Sequence, residues 1–272
     1  MIATPARVLI IAGSDSGGGA GIQGDIKTVT ALGGYAITAI TAVTIQNTIG
    51  VQGFHPVPPR IIAGQIKAVM SDIGADAIKT GMLVSAEAVE AIADALLPYA
   101  SVQLVVDTVM IAKGGTALLD EGGVEAMKKR LFPRAALVTP NAPEAARLTG
   151  IEVQTPDDLA RAGQILRDLG ARAVLVKGGH LTGDIVTDVL VEASGVQMFP
   201  GPRLSNPSTH GTGCALASAI ATGLAQGLAL QEAVMQARAF VQEAIRTGLA
   251  LGRGIGPLNH LWGWHSPGRN RT

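Results

Sequence analysis

Charged and aromatic side chains are scarce in this sequence, and it has nothing with which to form an internal disulfide. Of its 272 residues only 15% are charged and 3% aromatic, and 21 basic side chains cancel 21 acidic ones. Zero net charge removes the electrostatic footprint of nucleic-acid binding, so no nucleic acid is expected as a partner. The single cysteine, Cys214, has no second cysteine to pair with, which fits a reducing cytoplasm. No cluster of His and Cys has zinc spacing. Lys79-Thr80 lacks the upstream glycines of a Walker A loop, and no His-Arg-Asp kinase loop occurs. Gly19, Gly21 and Gly24 satisfy G-x-G-x-x-G, but no acid lies between Asp25 and Asp72. The ribose-binding partner of a nicotinamide oxidoreductase is therefore missing.

Apolar residues and glycine are what the chain has in quantity. A hydrophobic share of 47% excludes disorder, and the length allows one large α/β domain or two small ones. The 35 glycines imply several sharp turns or close backbone approaches. Two charge-free stretches, 28–59 and 211–231, have the length of membrane spans. The first carries Gln46, Asn47, His55 and three prolines; the second opens on Gly-Thr-Gly-Cys and is rich in Ala, Ser and Thr, like a buried helix. The apolar run 8–12 is too short for a signal-peptide core. A cytoplasmic protein with no membrane partner is expected.

Short apolar runs at 8–11, 36–45, 77–80, 103–107, 136–139 and 173–177 read as strands, most of them buried on both faces. Segments of helical spacing separate them at 22–32, 60–70, 86–97, 124–131 and 159–169. The last starts with a cap, a first-turn proline and two acids, Thr155-Pro156-Asp157-Asp158. This alternation predicts an α/β three-layer sandwich, a mostly parallel sheet with helices on both faces. Segments 185–191 and 196–199 around Gly195 predict an edge hairpin, and helices at 212–226 and 230–251 end the fold. Residues 1–260 are expected to form one domain, with 261–272 a C-terminal tail.

Ligands of such sheets sit at the carboxyl ends of the strands. Glycines between Gly13 and Gly21 follow the first strand there and would let a small ligand lie against backbone, with Asp25 in the next helix's first turn. A tight turn with a capping Asp accounts for the same residues. Thr209-His210-Gly211-Thr212-Gly213-Cys214 opens an uncharged helix whose bare amides and dipole would hold a phosphoryl group. Close helix packing is the plainer use of such small residues. The dipole favours a thiolate at Cys214, with His210 as a candidate partner, against an inert packing role. Asp107, and Asn141 with Glu144, place oxygens suited to Mg²⁺ and its waters. Lys177 ends another strand, within reach of a nucleotide phosphate. Singly these read as caps or turns; together they suggest a nucleotide–magnesium site.

Read in order, these segments resemble the hydroxymethylpyrimidine/phosphomethylpyrimidine kinases of thiamine biosynthesis, members of the ribokinase-like superfamily. The resemblance runs through 12–23, Gln46-Asn47-Thr48, 79–83, Val109-Met110, 139–141 with Glu144, 176–180 and 209–214, ending at 256–260. It implies ATP-dependent phosphorylation of 4-amino-5-hydroxymethyl-2-methylpyrimidine and then of its monophosphate to the diphosphate. Gln46 would pair with the ring edge; Gly13, Ala20, Asp25, Met82 and Val109 would line the pocket, Asp25 reaching the hydroxymethyl group. Asn141, Lys177 and Thr209 would contact ATP, with Glu144 and Asp107 at Mg²⁺. Gly211, Thr212 and Gly213 would form the anion hole, and Cys214 stands where sugar kinases of the superfamily have an aspartate base. A homodimer is expected. Pyridoxal kinase, a relative sharing the fold, and a non-catalytic pyrimidine sensor are the alternatives. One departure is Thr108, where the family has proline; it is expected to loosen the turn that orients Asp107.

Overall fold

The computed structural model describes residues 4–112 and 114–264. Nine strands form one sheet: β1 (Arg7–Ser14), β2 (Tyr35–Gln46), β3 (Val51–Pro56), β4 (Ala77–Thr80), β5 (Gln103–Val106), β6 (Leu137–Val138), β7 (Val174–Val176), β8 (Ile185–Glu192) and β9 (Gly195–Pro202). Their spatial order is β3-β2-β1-β4-β5-β6-β7-β8-β9. From β2 to β7 every pairing is parallel; β3, and the β8–β9 hairpin against β7, are antiparallel. The predicted sandwich and edge hairpin are both present.

The side-chain alternation of a strand explains the layers. In β1, Leu9 and Ile11 enter one core while Val8, Ile10 and Ala12 enter the other, all of them buried. The first core is covered by α2 (Pro59–Asp72), α3 (Ala86–Leu96), α4 (Glu121–Arg130), α5 (Ala142–Thr149) and α6 (Pro156–Asp168). The second is covered by α1 (Gly21–Ala31), α7 (Thr212–Ala225) and α8 (Leu230–Arg246). Both charge-free stretches belong to this frame. The first supplies β2, β3 and their turn, and the second is α7, whose residues 215–223 are all buried. Among the described residues no helix is long and apolar enough to cross a membrane.

Three elements depart from the sequence reading. An unanticipated edge strand, β3, pairs with β2. The final helix stops at Arg246, not 251, and the chain turns back so that the Ile255 amide donates to the Thr48 carbonyl at 2.9 Å. Trp262, placed in the expected tail, packs on Phe240 with ring centroids 6.1 Å apart, because burying that indole completes the α8 face. The rest of the tail, 265–272, lies outside the described residues.

Candidate active site

The carboxyl ends of β1, β4, β5, β6 and β7 open into a cavity of about 170 Å³ bordered by the start of α7. A larger hollow of about 600 Å³ lies between 204–208 and 246–256, but no carboxylate lines it.

Asp15, at the end of β1, organises one wall. Its side chain accepts hydrogen bonds from the amides of Gly17 (2.8 Å), Gly19 (3.1 Å) and Ala20 (2.8 Å) and lies 2.9 Å from His210 Nε2. Burial alone would push this carboxyl up, but the bonds from His210, Ala20 and Gly17 outweigh it and hold Asp15 below the usual range. Gly21 has a left-handed φ of +54°, and a Cβ there would run into the carbonyl of Gly13. The glycine-rich stretch is therefore a loop wrapped around one carboxylate.

The opposite wall is the first turn of α7. Gly211 is left-handed (φ +86°), and a Cβ on it would fall inside the Gly19 carbonyl, so the two loops meet backbone to backbone. No side chain caps this helix, because its N-cap residue is Gly211; Thr212 Oγ1 donates to the Thr209 carbonyl at 2.7 Å. The first-turn amides thus lack partners within the helix. Lys177 Nζ lies over them, 3.3 Å from where a Gly213 Cβ would be. Bare amides, a helix dipole and an ammonium together make an anion site.

Charged groups fill the floor. Lys79 Nζ and Asp25 Oδ2 form a 2.8 Å ion pair with both side chains fully buried, and Ser218 Oγ donates to Asp25 Oδ1 at 2.7 Å. Burial works against the Lys79 ammonium, yet the carboxylates around it hold its pKa above that of an ordinary lysine. Asp107 Oδ1 accepts from Lys177 Nζ (3.0 Å) and Thr139 Oγ1 (3.1 Å). Burial again opposes ionisation, but Lys177 and Lys79 draw Asp107 below the usual range. Glu144 Oε2 accepts from Thr108 Oγ1 and the Asn141 amide, each at 2.9 Å, while Asn141 Oδ1 caps the Glu144 amide. Here burial prevails, and Glu144 lies above the ordinary glutamate range.

Magnesium fits this donor set. Asp107 Oδ2 is buried without a hydrogen-bond partner in the protein, an arrangement that calls for a cation or ordered water. Asp107 and Glu144 both face the cavity, and both are hard oxygen donors. Among the described residues no group of three or more His, Cys, Asp or Glu converges, so the ion would complete its shell with waters and phosphate oxygens.

Most residues expected at the site line the cavity together: Gly13, Ala20, Gln46, Met82, Asp107, Val109, Asn141, Glu144, Lys177 and 211–214. Two expected residues lie off the cavity wall, and two expected effects run the other way. Asp25 does not reach the cavity, because its helix turns it inward to neutralise Lys79. Thr209 does not line it either; its carbonyl holds Thr212. Thr108 loosens nothing: it is buried, its hydroxyl bonds Glu144, and Asp107 is fixed by two donors. The thiol of Cys214 also departs from the dipole argument. Burial pushes its pKa up to about 11, with Lys79 pulling the other way. Lys79 and Asp15 are wall residues to which the sequence reading assigned no role. The one signal for Lys79 was a lysine inside an otherwise apolar strand, which burial allows only beside a carboxylate.

Comparison with known proteins gives a consistent result. The family described as "Phosphomethylpyrimidine kinase" matches residues 15–259. The hydroxymethylpyrimidine/phosphomethylpyrimidine kinase of Streptomyces coelicolor is 49% identical over 95% of this chain and 96% of its own. A thiamine biosynthesis bifunctional protein of Geobacter sulfurreducens is 54% identical over 93% of this chain, which spans only 52% of that longer protein. Among solved structures, a Bacillus subtilis pyridoxal kinase in complex with ADP superposes with a TM-score of 0.90 at 33% identity, covering 97% of this chain and 100% of that one.

Proposed function

The chain belongs to the phosphomethylpyrimidine kinase family, and we propose that it carries a phosphoryl group from ATP to a hydroxymethylpyrimidine and then to the resulting monophosphate. The observation that carries this reading is the bare N-terminus of α7 under Lys177, facing Gln46 across one cavity. Acceptor and donor phosphate would meet over those amides, and the anion site would hold the charge that spreads over the transferring group's oxygens. Mg²⁺, held through Asp107 and Glu144, would neutralise charge on the phosphates.

In the first transfer, the alcohol oxygen bonds to the γ-phosphorus as the bond to the ADP oxygen breaks. The hydroxyl proton must leave, and Cys214 in thiolate form would take it. With a pKa of about 11, only roughly one thiol in 10⁴ is ionised at pH 7. The alcohol step should therefore quicken about tenfold per pH unit above neutrality. The second acceptor, a phosphate monoester with a second pKa of about 6, is already ionised and should lack that slope.

The test combines mass spectrometry of products from the pyrimidine alcohol, ATP and Mg²⁺ with single-turnover rates for Cys214→Ser. Mono- then diphosphate should form, and the variant should slow the alcohol step by roughly 10²-fold or more while flattening its pH slope. Equal slowing of both steps would leave Cys214 a shaper of the anion site. Pyridoxal is the second reading, favoured by the 0.90 superposition. The 49% identity to a pyrimidine kinase outweighs it, and pyridoxal turnover decides. A cytoplasmic homodimer belongs to the same reading, with light scattering as its check.

A further inference from the structure

His210 stands between the two walls. Its backbone amide donates to the Gly256 carbonyl at 3.0 Å, and its ring packs against Gly19, with Pro257 close by. A Cβ on Gly19 would collide with the imidazole, so the absence of a side chain there is what admits the ring. Nε2 lies 2.9 Å from Asp15 Oδ2 and 3.3 Å from Gln46 Nε2. Asp15 already takes three backbone N–H groups, which marks it as an ionised acceptor. The nitrogen facing it must therefore carry a proton.

A protonated Nε2 cannot accept from the Gln46 amino group. The carboxamide is nearly symmetric in shape, and half a turn about its last bond brings its oxygen to the same place. The Gln46 backbone is held separately: Ser16 Oγ donates to its carbonyl at 2.7 Å and accepts from its amide at 2.8 Å. Only the amide's orientation is then left to choose.

We infer that His210 is a positioning residue: its one Nε2 proton, shared between Asp15 Oδ2 and the Gln46 oxygen in a three-centre bond, locks the carboxamide with its oxygen anchored and its N–H₂ group free for the ligand. The locked amide offers one donor and the second lone pair of one acceptor, in fixed order. It complements an aminopyrimidine edge, whose ring nitrogen accepts and whose amino group donates. In the 4-oxo analogue that edge is reversed, with N–H beside C=O. A rotating glutamine would serve both ligands, whereas a locked one rejects the second. His210 thereby sets specificity without touching the pyrimidine, and it adjoins the anion site through Gly211. The substrate half of this inference rests on the pyrimidine reading above.

Two measurements test it. Nitrogen-15 NMR of the free protein should find a proton on Nε2 of His210 at neutral pH; a ring protonated on Nδ1 alone would overturn the inference whatever the substrate. The second measurement is the ratio of kcat/KM for the 4-amino alcohol to that for its 4-oxo analogue. His210→Phe fills the space without a donor and should lower this ratio roughly tenfold or more, the effect of one mispaired buried polar group. His210→Gln returns an N–H near Nε2 and should restore most of it. Equal loss on both alcohols, or no rescue by glutamine, would make His210 merely structural and refute the proposal. A wild-type protein inactive on both would refute the pyrimidine reading, with the tautomer still decided by NMR.

Discussion

Replacing Asp25 by asparagine separates a buried counter-ion from a substrate ligand. Asparagine keeps the shape and can still engage Ser218, but it cannot neutralise Lys79. Both side chains of the pair are fully excluded from water, so the variant strands an ammonium in the core beside α7. Removing one partner of such a pair typically costs about 3–5 kcal/mol. For a domain of this size each kcal/mol moves Tm by about 2–4 °C, so a fall on the order of 10 °C is expected. Asp107 also attracts Lys79, which places the loss toward the lower end of that range.

The pH dependence has a definite sign. In the parent protein Lys79 has a folded pKa raised above 10.5, so its contribution is complete below that value and lost as pH rises through the folded pKa. In Asp25→Asn Lys79 loses its nearest carboxylate, so burial should carry its folded pKa below the unfolded one. The deficit should then shrink as pH climbs from 7 toward 10, where Lys79 can shed its proton. Thermal denaturation followed by circular dichroism, without ligand, measures both effects, and adding Lys79→Met should recover most of the stability. An unchanged Tm with a raised KM for the pyrimidine would refute this account and return Asp25 to the hydroxymethyl group.

Glu144→Gln keeps the capping geometry at Asn141 but removes a charge, and the Mg²⁺ concentration for half-maximal activity should rise severalfold; an unmoved magnesium titration would dismiss Glu144 as a metal contact. Because burial holds Glu144 above the ordinary glutamate range, activity should fall on an acid limb displaced upward from that of a free glutamate. Thr108→Val deletes a bond that favours the ionised form and should move that limb to higher pH, whereas a stationary limb would show that Glu144's charge is not what the reaction needs.

How much was legible follows from how local each signal is. The parallel strands announced themselves as short apolar runs because both their faces are buried, Val8 to Ile11 being the clearest case. The edge strand β3 hid because Gly53, His55 and Pro56 are tolerable only where one edge needs no partner. Asn141 and Glu144 were readable because the N-x-x-E spacing is itself the capping box. Asp15 and Asp25 show the limit. Both are acids flanking the same glycines, and only the direction in which α1 turns decides that one faces the cavity while the other faces Lys79. Cys214 shows another. Helix dipole and burial push a thiol in opposite directions, and sequence reveals the first but not the depth that lets the second win.

The glycine excess has a cause that a ligand-centred reading misses. Gly19, Gly21 and Gly24 satisfy a dinucleotide fingerprint, yet each is small because of a protein neighbour: the His210 ring, the Gly13 carbonyl and the Gly19 carbonyl respectively. Gly211 meets Gly19 from the other side. A side chain at Gly19 or Gly211 would prise the acceptor loop from the anion loop, both contacts being tighter than a Cβ allows, whereas Gly21 and Gly24 keep the first loop folded on itself. The missing ribose-binding acid is then no anomaly, since these glycines bring two protein loops together instead of seating a pyrophosphate. Phosphoryl transfer needs its two reactants held in line, and loops fused backbone to backbone hold them without relying on long side chains. The scarcity of charge in the sequence fits the same logic: Lys79 and Lys177 each meet a buried carboxylate, Asp25 and Asp107, so that these ammonium groups keep their charge where little water reaches.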